Sequence, residues 1–395
     1  MASISKNNSA PSTPGLPSGV QLNKILWIIW GTILALGLVG MFQRLTMGHL
    51  PAGYGSYVPW GIWIALYFHA VGIAAGTFLL GGVAYLLGWR DERGLRTVIW
   101  LSIAALSAGF LAVLLDLGRM LRAYRMFTAP KFTSMMAFNA WMYSAFIVLV
   151  LIVWWLSFRK ERSEWMRPLV IVSMLLAVMF SSQSGAFFGA VEGKAFWNSA
   201  LMPLLFFASA ITAGAATLLV VRWILGPEPG DTGPFAHKAG LVRLRWYTLA
   251  GLAVYFWLEF TEFSIALWNP YEHAPAIRLV LFGPYWWVFW IVHLLIGGVI
   301  PVVMLAQSKA GAWPWAALLV AITLVSARLN ILIPGQAVES LKGLQEAFYD
   351  PRLKYIYHAT VMEYLVGFFL LAVAAAVFYA GRRLTFSFAE NNSKK

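Results

Sequence analysis

The sequence contains no cysteine. Disulfides, thiolate-bound zinc and any iron–sulfur cluster held by this chain alone are therefore excluded. Charge is also scarce: only 11% of the 395 residues are Asp, Glu, Lys or Arg. A water-soluble domain carries roughly a quarter, so this chain has too little charge to cover a soluble surface of its own size. Acids are the rarer sign, 16 against 29 basic residues. In a soluble protein the resulting +13 would raise nucleic acid as a partner. Here the basic residues flank apolar runs, which is a topology signal, and no nucleic acid is expected. A cleavable leader is not evident, because the first apolar run, near Ile25, has no small-residue cleavage site after it.

What remains is apolar. Hydrophobic residues make up 60% of the chain, with 20 Trp and 15 Tyr, the residue types that favour the membrane interface. Runs long enough to span a bilayer fall near 25–44, 60–88, 97–118, 136–158, 168–191, 196–225, 245–268, 281–306, 312–334 and 357–381. The expected fold class is all-α integral membrane, with about ten transmembrane helices and no soluble catalytic domain. Residues 1–22 read as a disordered tail, 23–384 as the transmembrane domain and 385–395 as a second tail. The positive-inside count favours the side carrying Arg90, Arg93, Arg96, Arg159, Arg162 and Arg167, against Arg119, Arg122, Arg125 and Lys131 on the other. Both termini are accordingly expected in the cytoplasm of a multi-pass inner-membrane protein.

A weak repeat is visible. Ile73-Ala74-Ala75-Gly76 in the second run resembles Ile211-Thr212-Ala213-Gly214 in the sixth, an offset of four helices. The pattern is consistent with two four-helix bundles, helices 2–5 and 6–9, flanked by helices 1 and 10. Small residues of this kind also recur in any closely packed membrane helix.

Ionisable groups within a membrane are costly, and each is a functional hypothesis. The candidates are Asp116, Glu259, Glu262, Arg328 and Glu363, with His69, His293 and His358, and the uncharged Gln183, Asn139, Asn198 and Asn330. Followed along alternating helices, most gather in one half of the membrane, the half away from the cytoplasm. Such a one-sided pocket fits a site reached from lipid or from a docked partner. Glu259 and Glu262 share a helix face at i,i+3 spacing. Two close carboxylates in low dielectric do not both ionise, so one is expected to hold a proton. A structural pair is the alternative there, as a helix-end ion pair is for Asp116 with Arg119, a satisfied core imidazole for His69, and a plain counter-ion for Arg328. Haem would need two facing ligands; His69 and His293 are at similar depth, but no helix carries a His pair, and haem is not expected.

Several motifs resemble a known family. They are Pro59-Trp60-Gly61-Ile62-Trp63-Ile64-Ala65-Leu66 followed by Gly72-Ile73-Ala74-Ala75-Gly76; Asp116-Leu117-Gly118-Arg119; Ser182-Gln183-Ser184-Gly185; Phe196-Trp197-Asn198-Ser199 with Met202-Pro203-Leu204-Leu205-Phe206; Glu262; and Ala327-Arg328-Leu329-Asn330. Their order and spacing resemble the NrfD/polysulfide-reductase membrane-subunit family, which includes the membrane subunit of some nickel–iron hydrogenases. The resemblance implies an anchor of a multi-subunit oxidoreductase that binds menaquinone or another quinone near the outer face. It also implies a 4Fe-4S ferredoxin-like iron–sulfur subunit docked there, and a molybdopterin or other catalytic subunit beyond it. The sequence departs from eight-helix members by extra helices at both ends, and has Ser182 where some members place a His.

Combining both lines, the expected quinone-binding residues are Tyr67, His69, Asn139 and Gln183. Asp116, Glu259, Glu262 and Arg328 are the expected proton-transfer groups, and no metal is expected. Loops 120–135, 186–196 and 336–356 are the expected docking face. The competing readings are a secondary transporter and an ion-translocating module.

Overall fold

The computed structural model describes residues 19–129, 131–159, 163–227, 237–268, 274–341, 343–347, 350, 353 and 355–393. Residues 1–18 of the expected N-terminal tail lie outside the described residues, as do parts of the loops expected over 120–135 and 336–356. Among the described residues there is no strand, and ten helices are long and apolar enough to cross a membrane. They are α1 Gly19–Met47, α2 Ile62–Leu86, α3 Glu92–Asp116, α4 Met135–Leu156, α5 Met166–Gly189, α6 Met202–Leu225, α7 His237–Trp268, α8 Val288–Ala306, α9 Ala310–Ala337 and α10 Val361–Ser393.

The boundaries that differ from the apolar runs do so for local reasons. Helix α3 starts at Glu92, not near 97, because Asp91 caps it by accepting from the Gly94 amide at 3.1 Å. Glu92 adds a negative charge in the first turn. Helix α6 starts at Met202, after turns at 196–201, with Pro203 in its first turn. The run near 281–306 is split. A separate short helix, Ala274–Leu281, stops before Gly283-Pro284, and α8 begins at Val288. The segment expected as a tail from 385 is instead helical through Ser393.

The two small-residue segments of the repeat turn out to face each other. A Cβ built on Gly76 would lie 1.9 Å from the Ala210 carbonyl oxygen. One built on Gly214 would lie 2.3 Å from the Gly76 carbonyl carbon. Helices α2 and α6 therefore cross backbone against backbone, and only glycine fits at the crossing. Helices α2–α5 pack on one side of this seam and α6–α9 on the other. Helices α1 and α10 form a flanking pair, tied by the Trp30 indole donating to the Ala372 carbonyl at 3.0 Å. The pair leans on α3, where Gly381 makes room for the Trp100 ring.

Two helices of the second bundle are irregular. Residues Val288–Val299 of α8 are wound as a π-helix, a rare conformation that often marks functional positions. Helix α9 is interrupted at Leu324 and contains Pro334, which offers no N–H to the Asn330 carbonyl one turn earlier.

Candidate functional site

The helix ends of one face are laced together by polar groups. Gln336 accepts from the Trp60 amide at 3.0 Å and donates to the Trp60 carbonyl at 3.1 Å. Lys194 donates to the Val338 carbonyl at 2.8 Å, and the Trp197 indole to the Ile331 carbonyl at 2.8 Å. Partial burial lowers the Lys194 pKa from its ordinary value. Glu363, fully buried at the start of α10, accepts from the Gly53 amide, the Thr360 amide and hydroxyl, and the Tyr357 hydroxyl, at 2.7–3.2 Å. Burial first, and the adjacent Glu363 charge second, push the Tyr357 phenol well above its ordinary pKa. Tyr357 therefore stays a proton donor to this carboxylate.

Within that face the expected site residues divide into three groups. The first lies between α2, α4 and α5. The Tyr67 hydroxyl donates to Tyr143 at 3.0 Å, Tyr143 to Ser184 at 3.2 Å, and Ser184 to the Phe180 carbonyl at 2.8 Å. Every proton in this relay is committed inward, which leaves the Tyr67 oxygen available as an acceptor. Asn139 sits one turn before Tyr143 on the same face of α4, buried, with its Oδ1 lacking any hydrogen-bond partner. Gln183 is half-buried and adjacent to Ser184, on a different face of α5.

The second group lies at the seam. His69 is close to Tyr67 in sequence but turns the other way, and its Nε2 donates to the Ala321 carbonyl of α9 at 2.7 Å. Arg328 is buried against the Phe206 ring, 3.7 Å from its centroid, and donates to Ser209 at 2.6 Å. Its Nε and Nη1 have no hydrogen-bond partner.

The third group is acidic. Glu259 accepts from the Tyr255 hydroxyl at 2.6 Å, and its other oxygen lies 2.9 Å from His293 Nε2. His293 Nδ1 lies 2.8 Å from the Ser326 hydroxyl, which itself donates to the Thr323 carbonyl. Because the Ser326 proton is already committed, Nδ1 must carry a hydrogen. A proton must then also lie between Nε2 and the Glu259 oxygen. Glu262 does not share this proton; it accepts from Ser199 at 2.7 Å. Each glutamate of the i,i+3 pair thus has its own partner. Asp116 ends α3, so a helical i,i+3 pair with Arg119 does not form, and Arg119 is exposed. Asp116 Oδ1 is buried without a partner. Arg44 of α1 is close by, donating to the Leu115 and Leu117 carbonyls at 2.8 and 3.2 Å.

The sequence pattern does not single out Tyr143, Tyr255 or Ser326, and it points to Ser184 only as part of the Ser182-Gln183-Ser184-Gly185 motif. The i,i+4 spacing of Tyr255 and Glu259 is a usable signal. Nothing in the sequence separates Tyr143 from an ordinary core tyrosine.

The family model described as polysulphide reductase, NrfD, matches residues 52–339. The chain belongs to this family. The match begins just before α2 and ends just after α9, so it covers both bundles and leaves out the flanking pair α1 and α10. Among related proteins, a selenate reductase subunit of Mesobacillus selenatarsenatis is 25% identical, over 91% of this chain and 93% of its own length. The Hdr-like menaquinol oxidoreductase integral membrane subunit of Archaeoglobus fulgidus is 28% identical, over 91% and 92%. A polysulfide reductase polypeptide of Wolinella succinogenes is 26% identical over 42% of this chain and 58% of its own length. Family members of this kind are membrane subunits of multi-subunit respiratory oxidoreductases.

Proposed function

We propose that this chain is the quinone-reactive membrane subunit of a respiratory oxidoreductase, exchanging electrons between the quinone pool and a docked iron–sulfur subunit. The observation that carries the reading is the unpartnered, buried Asn139 Oδ1 one helical turn before Tyr143 of the Tyr67–Tyr143–Ser184 relay, whose Tyr67 oxygen remains an acceptor. A buried acceptor without a donor is costly. A quinol supplies hydroxyl donors on a flat apolar ring, and the rings packed against Tyr67 and Tyr143 are the aromatic side chains of Phe68, Phe110 and Phe180. The menaquinol oxidoreductase relative supports the choice of ligand.

When bound, a quinol supplies two electrons and two protons. This protein's own residues orient the head group through Tyr67 and Asn139 and exclude water with these aromatic rings. Asp116, Glu259, Glu262 and Arg328 are the groups available to hold or move protons near the same face. The electrons leave to a partner. The segment 119–132 is the proposed docking surface, because it exposes Leu121 and Phe132 at 91% and 81% beside Arg119, Arg122 and Arg125. An apolar, basic surface of this kind fits an acidic patch with an apolar centre on the docked partner. A molybdopterin or other catalytic subunit would lie beyond it, on the non-cytoplasmic face of the inner membrane.

The test is menaquinol oxidation by the purified complex carrying Asn139→Leu or Tyr67→Phe. Turnover should fall about tenfold or more, and co-purifying quinone should fall with it. Full turnover and quinone content in both variants would refute the site. Solute uptake into liposomes by this protein alone would refute the function.

A further inference from the structure

One cavity of the bundle includes neither Tyr67 nor Asn139 in its lining. It has a volume of about 260 Å³ and is bounded by the start of α2, the π-helical part of α8, the end of α9 and the start of α10. Two of its rim residues, Trp287 and Tyr364, are 40% and 48% exposed on the outside of the bundle. The cavity therefore reaches the surface of the bundle beside Trp287 and Tyr364. Its walls are mainly aliphatic and aromatic, and the residues lining it include no Lys, Arg, Asp or Glu. A phosphate head group would find no guanidinium or ammonium there.

The polar groups it does contain have unused capacity. Asn330, 2% exposed, lines the cavity with an Nδ2 that has no hydrogen-bond partner. An unmet donor in an apolar wall calls for a carbonyl or hydroxyl oxygen. Ser326 also lines it. Its hydroxyl donates to Thr323 and accepts from His293, which leaves one lone pair free for a ligand hydroxyl. Behind Ser326 lies the shared proton of His293 and Glu259. The cavity thus offers the unmet Asn330 donor, a Ser326 lone pair, the nearby Tyr285, Tyr364 and His358 side chains and a buried acid–base pair, in walls that take a flat apolar ring.

We propose that this cavity is a second binding site for a quinone or quinol head group, separate from the site proposed at Tyr67 and Asn139, with Asn330 and Ser326 as its polar contacts. The choice of ligand class rests on the function proposed above; the existence of a second site does not.

The experiment is photolabelling of the purified complex with an azido-naphthoquinone bearing one isoprenyl unit, read by peptide mass spectrometry. Two labelled regions are expected, one in α4 or α5 and one within 325–334 or 357–364. Menadione in excess should displace the second label, and phosphatidylglycerol should not. Asn330→Leu should lower the second label roughly fivefold while leaving the first. Ala359→Phe, which fills the cavity, should abolish the second label only. A label confined to α4 and α5 would overturn the second site and leave the function standing. Labelling of neither region would overturn both. Displacement by phosphatidylglycerol as readily as by menadione would reassign the cavity to lipid and overturn the proposal. If either variant loses both labels, the competition result on the unaltered protein decides.

Discussion

The two faces of the helix bundle use cations in the same way and carboxylates differently. On the face of Arg96, Arg167 and Arg245, guanidinium groups donate to the carbonyls of Ser157, Leu86 and Leu305 at helix C-termini. Arg44 and Lys194 do the same at the ends of α3 and α9 on the opposite face. This device satisfies orphan carbonyls and complements the helix dipole wherever a helix ends. Acids follow another rule. On the first face Asp91 and Glu92 are half-buried and Glu164 is exposed. On the other, Glu259, Glu262 and Glu363 are buried at 4%, 4% and 0% exposure, each held by hydroxyl, amide or imidazole donors. Cations at helix ends stabilise the fold and indicate little else. Carboxylates retained inside a membrane protein cost free energy, and their grouping on one face is what the proposed proton route rests on.

The comparison is broken most directly at Glu259. Glu259→Gln keeps an oxygen for Tyr255 but cannot hold the shared proton. Quinol turnover should fall about a hundredfold, the scale of a lost acid–base group, with assembly and thermal stability little changed. Unchanged turnover would make Glu259 structural and leave the two faces alike. Glu262→Gln tests the same idea at a carboxylate with a simpler partner, Ser199, and should slow turnover by a smaller factor while the complex still assembles.

Glu363 separates burial from function. Its carboxylate accepts from the Gly53 and Thr360 amides and the Tyr357 and Thr360 hydroxyls. Glu363→Leu strands several donors at once and should destabilise the complex by about 3 kcal/mol or more, read as a lowered melting midpoint. Glu363→Gln should recover most of that stability. If Glu363→Gln instead abolishes turnover at full stability, the acidic face has a third proton-active member.

The fold was largely legible because its signals are local. Length, apolarity and the Gly76 and Gly214 segments are properties of short stretches, and the seam of α2 and α6 follows from them. The breaks were legible only where a residue forces them, as Gly283-Pro284 does before α8. The π-helical winding around His293 leaves no mark of that kind; within it Gly297 and Gly298 pack closely against Thr323 and Phe256. The site was half legible. Polarity in an apolar run exposed Asn139, Glu259, Glu262 and Arg328. Direction did not follow from it: Tyr67 and His69 lie two positions apart yet turn to different partners, one to Tyr143 and one to Ala321. Tyrosines and serines that complete a proton relay look like any others until their partners are known.

On the arginine face, Arg96→Gln removes donors to the Ser157 hydroxyl and carbonyl and the stacking of the guanidinium on Phe158. The expected loss is about 1–2 kcal/mol of stability with unaltered turnover. A turnover defect without a stability defect would show that this face also takes part in the chemistry.

The smallest effect tests whether Lys194 belongs with those arginines. Burial lowers its pKa in the folded protein below the ordinary 10.5. The unfolded protein therefore binds more protons than the folded one in the window between the lowered value and 10.5. Stability contributed by this residue must then rise with pH across that window. Lys194→Met keeps the aliphatic stem and removes the titration. The difference in melting midpoint between wild type and Lys194→Met should shift in favour of wild type as the pH is raised toward 10.5. A difference independent of pH would mean that the ammonium is as well solvated as at the surface. Its bonds to the Gln336 and Val338 carbonyls would then be an exposed helix cap, like those of the opposite face.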